Sequence, residues 1–413
     1  MTQSSSAAPA HRAPRFPEFV AMMASLMALT ALSIDIILPA LSQIQRDFDV
    51  GDANDQQLIV TAYVVGFAAG QVFYGPLSDR FGRKPVLLFG LALYAVSSFL
   101  CLVAGAFDLL LAARFLQGIA SASPRIIAMA VIRDVYEGRR MAEVMSFVMM
   151  VFIVVPVIAP SIGGGFLLVA NWHLIFGFLY AVSLGIIAWT TLRLPETRLP
   201  ERRQPMSVGW LLRAFGETLG TRQTLGYTLA IGTVFGSLMS YVNSAEQVFT
   251  EVYGVGGWFP VLFGCVAVPL ALASFLNSRL VKRLGMRRLS HCALAGFAVT
   301  AVIHLAVTAA TGSPPLWLFV ALLATCLFFF GFIMPNFNAL AMEPMGRIAG
   351  TASSFVGAVM TGLGATLGWY VGQHYDGTVL PLTAGYAAFG VIALVIVAVT
   401  ERGRLFRAGR GEG

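Results

Sequence analysis

Apolar runs of about 20 residues recur along the whole chain, the length that carries an α-helix across ~30 Å of hydrocarbon. Twelve can be marked, beginning near Phe19, Gln57, Val86, Leu109, Val144, His173, Thr224, Trp258, His291, Leu316, Ala349 and Leu382. Short polar segments separate them. A backbone inside a bilayer has to satisfy its polar groups within the segment, so these runs predict helices. The alternation of a membrane-barrel strand is absent. The pattern predicts an all-α polytopic membrane protein with twelve transmembrane helices.

Six spans precede Leu194 and six follow Arg222, which predicts two six-helix halves over 19–194 and 223–402. Between them, 195–222 holds Pro195, Pro200 and Pro205 among arginines and reads as a linker, with an amphipathic piece near Trp210 to Phe215. Residues 1–18 are small and polar without a short apolar core and cleavage site. They predict a disordered tail, and 403–413 a second one. Leu77-Ser78-Asp79-Arg80-Phe81-Gly82-Arg83-Lys84 returns in degraded form as Leu280-Val281-Lys282-Arg283-Leu284-Gly285-Met286-Arg287, 203 residues later. Both copies fall between the second and third span of their half. Such a repeat is expected of transporters whose halves rock against each other.

Composition agrees with the pattern: 57% of the 413 residues are hydrophobic and 11% charged, where a soluble domain carries about a quarter. The net charge of +7 does not read as a nucleic-acid footprint, because no basic block is interleaved with stacking aromatics. If the N-terminus is cytoplasmic, all of the 27 Lys and Arg except Arg46, Arg114 and Arg125 fall on the cytoplasmic side. That is the positive-inside distribution, and an even number of spans then places both termini in the cytoplasm. Cys101, Cys265, Cys292 and Cys326 lie in or beside apolar spans without metal-ligand spacing, so neither a metal site nor a disulfide is expected.

Charged residues inside the spans are the candidates for chemistry. Asp35 lies in the first, where an unpaired carboxylate is costly unless it is protonated, paired or facing water. Burial disfavours the charged form and a nearby cation favours it, so a group between those influences can exchange a proton near neutral pH. With the first helix running from Pro17 to Leu41, Asp35 sits ~9 Å beyond its centre. With the fourth running from Asp108 to Ile132 in the opposite direction, Arg114 has the same depth, which predicts an Asp35–Arg114 pair. Arg114 also heads a stripe with Gln117, Gly118, Ser121 and Arg125 on one helix face, expected to line a wet cavity. Glu246, late in the seventh span, is expected either to line the outer part of that cavity or to sit at the water interface.

The hairpin Gly75-Pro76-Leu77-Ser78-Asp79-Arg80-Phe81-Gly82-Arg83-Lys84-Pro85 sets an acid, three bases and two glycines in fixed order between the second and third spans. This resembles the loop motif of the major facilitator superfamily of transporters. Asp35 with Leu38-Pro39 is similar to the acidic first-helix motif of the twelve-helix drug:proton antiporters, in particular their bicyclomycin/chloramphenicol-resistance branch. Arg114 with Gln117 and Gly118 resembles the fourth-helix motif linked to proton coupling. Pro160 with Gly163 and Gly164 resembles the antiporter motif of the fifth helix, although Ala159 stands where that motif has glycine. The resemblance covers roughly Phe19 to Thr400.

The resemblance implies a major facilitator fold in a bacterial inner membrane, acting as a monomer and exporting lipophilic small molecules or antibiotics in exchange for protons. It implies no cofactor beyond the proton. Asp35 and Arg114 would couple proton and substrate. Gly75, Asp79, Arg80, Gly82, Arg83 and Lys84 would gate the cytoplasmic side, with Asp79 meeting the N-terminus of the eleventh helix when the cavity opens outward. Pro160, Gly163 and Gly164 would bend the fifth helix. The alternatives left by the residues are a proton-coupled importer of an organic acid or sugar and a non-transporting membrane sensor or scaffold. An enzyme is disfavoured, since no nucleophile–base pair or metal cluster is visible.

Overall fold

A computed structural model of the chain describes residues 14–198 and 208–406. The described residues form helices joined by short turns. In chain order these are α1 (Phe16–Asp35), α2 (Leu41–Asp47), α3 (Leu58–Phe81), α4 (Arg83–Leu102), α5 (Phe107–Val135), α6 (Gly138–Val169) and α7 (His173–Arg193). There follow α8 (Val208–Gly220), α9 (Arg222–Gln247), α10 (Phe259–Leu284), α11 (Met286–Thr311), α12 (Leu316–Met342), α13 (Ala349–Gln373) and α14 (Leu380–Thr400). Eleven spans among the described residues are long and apolar enough to cross a membrane, and α6 adds the apolar stretch Val154–Val169.

Several expected boundaries shift. Helix begins at Phe16, inside the stretch expected to be a tail, and residues 1–13, 199–207 and 407–413 lie outside the described residues. The expected linker contains α8, whose Phe215 ring meets Phe355 of α13 with centroids 5.1 Å apart. The larger correction concerns the first span, which is not one helix. Its α-helix ends at Asp35, and a 3-10 turn over Leu38–Ala40 leads into α2. Pro39 is the cause: in a continuous helix its ring would meet the carbonyl of Asp35, four residues back, and it has no N–H to offer it.

Helices α1–α7 pack with one another, as do α9–α14, and these two bundles meet chiefly along α3 with α13 and α6 with α10. Small residues permit the close crossings. A Cβ on Gly118 of α5 would run into the carbonyl of Tyr63 on α3, and one on Gly66 of α3 into the carbonyl of Phe115. On α13, Gly357 and Gly372 leave room for Gln71 of α3 and for Gln57 in the turn before it, while Gly364 and Gly368 leave room for Phe235 and Met239 of α9. The glycine density of α13 thus serves two neighbours at once, one in each bundle.

The repeated hairpin has a structural counterpart. Gly82 ends α3 with φ 101° and Gly285 ends α10 with φ 76°, a backbone region that glycine enters without the penalty other residues meet. In both, the glycine N–H donates to the carbonyl four residues earlier, Ser78 and Val281, again 203 positions apart. The two hairpins lie at the arginine-rich end of the molecule. The opposite, far end carries the Asp52–Gln57 turn and the α13–α14 turn.

Candidate functional site

The break in the first span organises the site. Asp35, the last residue of α1, is 6% exposed. No hydrogen bond or ion pair reaches its carboxylate among the described residues. The 3-10 turn that follows Asp35, Leu38–Ala40, packs against α9 of the other bundle. The carboxylate therefore sits where the bundles meet, at the end of a helix that has been interrupted beside it.

Arg114 does not form the expected ion pair with Asp35. It is fully buried, and its guanidinium is spent on three oxygens: Nε donates to the Ile59 carbonyl at 3.1 Å, Nη1 to Gln117 Oε1 at 2.6 Å and Nη2 to the Ser33 carbonyl at 3.2 Å. The cation also lies 4.5 Å from the centre of the Tyr63 ring. Ser33 is two residues before Asp35. Its carbonyl would accept from residue 37 in an unbroken helix, and the interruption leaves it for Arg114. Arg114 thus holds the backbone that carries Asp35 rather than its charge. Equal depth brings both residues to one region of the bundle, and the break in the first span decides which atoms meet.

The polar stripe on α5 is more deeply packed than a cavity wall. Gln117 and Ser121 are 0% exposed. Gln117 Nε2 donates to Ser98 Oγ at 2.7 Å, and Ser121 accepts on its carbonyl from Thr30 Oγ1 at 3.2 Å while its own hydroxyl donates to Gly118. These bonds join α5 to α4 and α1. Only Arg125 of the stripe is half-buried, its guanidinium 5.3 Å from the Phe67 ring centre.

The antiporter-like residues lie against the same break. Gly163 of α6 leaves no space for a Cβ, because the Ile36 carbonyl occupies it. A Cβ on the next glycine, Gly164, would lie 3.4 Å from the ring of Pro260 on α10, and one on Gly264 of α10 would meet the Val157 carbonyl. Pro156 and Pro160 both remain inside the α6 helix. This stretch therefore touches the Asp35 break on one side and the second bundle on the other.

At the far end, hydrogen bonds cross between the bundles. Ser42 Oγ of α2 donates to Glu246, lying 2.8 Å from each carboxylate oxygen. Gln57 Nε2 donates to Gln247 Oε1 at 2.6 Å and to the Gly372 carbonyl at 3.1 Å, and Gln247 Nε2 donates to Asn54 Oδ1 at 3.1 Å. Asn54 Nδ2 also donates to the Tyr375 carbonyl at 2.9 Å. Glu246 is 6% exposed, so it neither lines an open cavity nor sits at a water interface; it is part of a closed polar layer. The far end is shut in this conformation.

At the arginine-rich end, Arg83 is the centre of the hairpin. It reaches Asp79 at 2.9 Å and Asp134 at 2.9 Å, and Arg198, beyond α7, also approaches Asp79 at 3.5 Å. Glu196 caps α4, accepting from the backbone N–H of Arg83 at 2.9 Å and of Lys84 at 3.2 Å, where a carboxylate complements the helix dipole. Lys84 Nζ donates to the Thr191 carbonyl and Arg80 is exposed. Asp79 and the first residues of α13, Gly350 and Thr351, line a cavity of about 230 Å³ along with Gly75. The hairpin carboxylate thus faces the α13 N-terminus across a gap and is held by arginines of its own bundle. Glu196 and Arg198 were not singled out from the sequence; the Pro195-Glu196-Thr197-Arg198 run directly after an apolar span was the available signal.

Residues 23–369 match the model of the Major Facilitator Superfamily. The chain is 33% identical over 359 residues to the uncharacterized MFS-type transporter YdgK of Bacillus subtilis, covering 86% of this chain and 88% of that protein. It is 32% identical over 378 residues to the bicyclomycin resistance protein homolog of Haemophilus influenzae, covering 89% and 92%. Among solved structures it resembles the xylose transporter XylE from E. coli in a partially occluded inward-open conformation, with a TM-score of 0.71 at 14% identity over 92% of this chain and 96% of that one. This last likeness speaks to fold alone. With its apolar helices and interrupted first span, the chain is a multi-pass protein of the inner membrane and belongs to the Major Facilitator Superfamily.

Proposed function

We propose that the protein exports lipophilic small molecules, antibiotics among them, in exchange for protons, by alternating access between its two bundles. The observation that carries the reading is Asp35: a buried carboxylate without a hydrogen-bond partner among the described residues, at a helix break where the bundles meet. Such a group can hold a proton or a substrate donor, and competition between the two couples their opposite movements. Relatives named for bicyclomycin and multidrug resistance support the direction of transport.

The arginine-rich end is cytoplasmic in this reading, following the positive-inside rule. The far-end layer of Ser42, Asn54, Gln57, Glu246 and Gln247 is then the closed outer gate. The Asp79–Arg83–Arg198 cluster and the α13 N-terminus form the inner gate, which tightens when the far end opens. Arg114 keeps the α1 terminus in register with α5 while Asp35 titrates. The protein works as a monomer, with protons as its only coupling ion. One charge moving through 100 mV supplies about 2.3 kcal/mol, enough at ~1.4 kcal/mol per factor of ten to sustain a roughly fiftyfold gradient of a neutral drug.

The test is proton release from purified protein in detergent on addition of candidate drugs, wild type beside Asp35→Asn. Release by the wild type and none by the variant, with unchanged thermal unfolding, is the expected result. Release that persists in Asp35→Asn removes the coupling role from this residue.

A further inference from the structure

Opposite Asp35, the second bundle carries hydroxyl groups to which the transport cycle described so far gives no role. Tyr241 of α9 and Tyr386 of α14 are 2% and 1% exposed, and neither phenolic oxygen has a hydrogen-bond partner among the described residues. One helical turn from Tyr241, the Ser237 hydroxyl is also buried and without a partner. Buried polar groups are nearly always hydrogen-bonded, so several orphans on one wall call for an explanation.

Packing places these hydroxyls on the side facing the break. The 3-10 turn after Asp35 packs against α9, which carries Tyr241, and α9 packs against α14, which carries Tyr386, a path from the first bundle into the second. Tyr241 lies six residues before the end of α9 and Tyr386 six residues after the start of α14, each ~9 Å in from the far end of its helix. The rings are fixed by stacking: Tyr241 on Phe263, centroids 5.2 Å apart and 11° between planes, and Tyr386 on Phe297, 5.9 Å and 22°. Stacking fixes one face of each ring and leaves the O–H group as its polar feature.

We propose that Tyr241 and Tyr386 are specificity-determining residues that donate hydrogen bonds to acceptor groups of a neutral substrate, while Asp35 accepts from its O–H or N–H. This rests on the export reading above. The site would take a lipophilic molecule bearing carbonyl, nitro or similar acceptors together with a donor. A quaternary onium ion of the same size has neither, and it would leave both phenols and the carboxylate without hydrogen bonds. Protonation of Asp35 removes its charge and turns one of its oxygens into a donor, which weakens its hold on the substrate donor, so the proton competes with the substrate at one end of this set while the phenols still hold the other.

The experiment is equilibrium binding of radiolabelled chloramphenicol and tetraphenylphosphonium to the purified full-length protein, in wild type, Tyr241→Phe and Tyr386→Phe. Each substitution removes only the hydroxyl and keeps the stacked ring. The wild type should bind chloramphenicol at least about tenfold more tightly than the cation. Each variant should lose about five- to tenfold for chloramphenicol, the scale of one net hydrogen bond, and change less than about twofold for the cation. Unchanged chloramphenicol affinity in both variants, or equal losses for both probes, overturns the proposal, as does a wild type that prefers the cation. Chloramphenicol binding that depends on the phenols but releases no proton sinks the coupling at Asp35 and supports the specificity role. A wild type that binds neither probe overturns both readings.

Discussion

The Arg114 guanidinium donates to the carbonyl oxygen of Ser33 at 3.2 Å, so a buried cation on α5 holds the last turn of the helix that ends in Asp35. A fully buried arginine is tolerated only when its donors are used. Here they tie α1, α3 and α5 together through Ser33, Ile59 and Gln117. In the proposed cycle this connection links the carboxylate to helix movement, because a shift of α5 pulls on the backbone adjoining it.

Arg114→Lys should therefore fail although it conserves charge. An ammonium on a flexible stem cannot serve three oxygens in the directions the planar fork serves. Leaving one buried acceptor unpaired costs about 1–3 kcal/mol. We expect at least about a fivefold loss of proton-driven efflux in vesicles, the weaker end of that cost, and faster amide exchange around Ser33 to Leu38. Wild-type transport and exchange in the lysine variant would remove Arg114 from the mechanism.

Gly163→Ala tests the packing of α6 on the break. The added methyl meets the Ile36 carbonyl, a backbone atom that cannot rotate away. Overpacking of this kind costs roughly 1–3 kcal/mol, and here it also displaces the segment beside Asp35. Gly165→Ala is the control, because nothing lies within 4 Å of its Cβ position. Efflux and thermal stability should fall for the first substitution and stay near wild type for the second; equal behaviour of the two contradicts the assignment.

Gln247→Ala should loosen the far end. It removes the bonds of Gln247 to Gln57 and Asn54, both of which join one bundle to the other. A hydrogen bond contributes about 0.5–1.5 kcal/mol net, so each one lost shifts the equilibrium towards a far-open state by roughly two- to tenfold. Spin labels at the exposed positions Asp52 and Asp376 report the separation. A larger long-distance population in Gln247→Ala is expected. Distributions indistinguishable from wild type would mean that this layer does not close the far end.

Whether a residue's surroundings can be seen from the chain alone depends on whether they are set by its own segment or by its neighbours. Twelve apolar runs, the polar turns between them and the repeated hairpin are local or periodic properties of the chain. Hydrocarbon thickness and the need to satisfy the backbone turn them into helices without reference to any neighbour. Asp35, Arg114 and the Gly75–Lys84 hairpin were legible for the same reason: charge inside or between apolar spans is costly and therefore conspicuous.

Contacts between helices were not legible. Pro39 stood in view beside Asp35, yet whether it kinks a helix or ends one depends on who takes the freed carbonyls, here Arg114 and the space left by Gly163. The packing of Gln117 and Ser121 inside the first bundle, and the crossing of Ser42 to Glu246 between bundles, likewise depend on rotation of each helix about its axis. Tyr241 and Tyr386 gave no signal, since a tyrosine in an apolar run reads as packing until its hydroxyl is seen without a partner. The membrane helices, their order and the conspicuous charges follow from solvation energies that each segment carries alone. Which atoms those charges touch follows from the folded packing, because helix rotation and crossing are set by segments far apart in the chain.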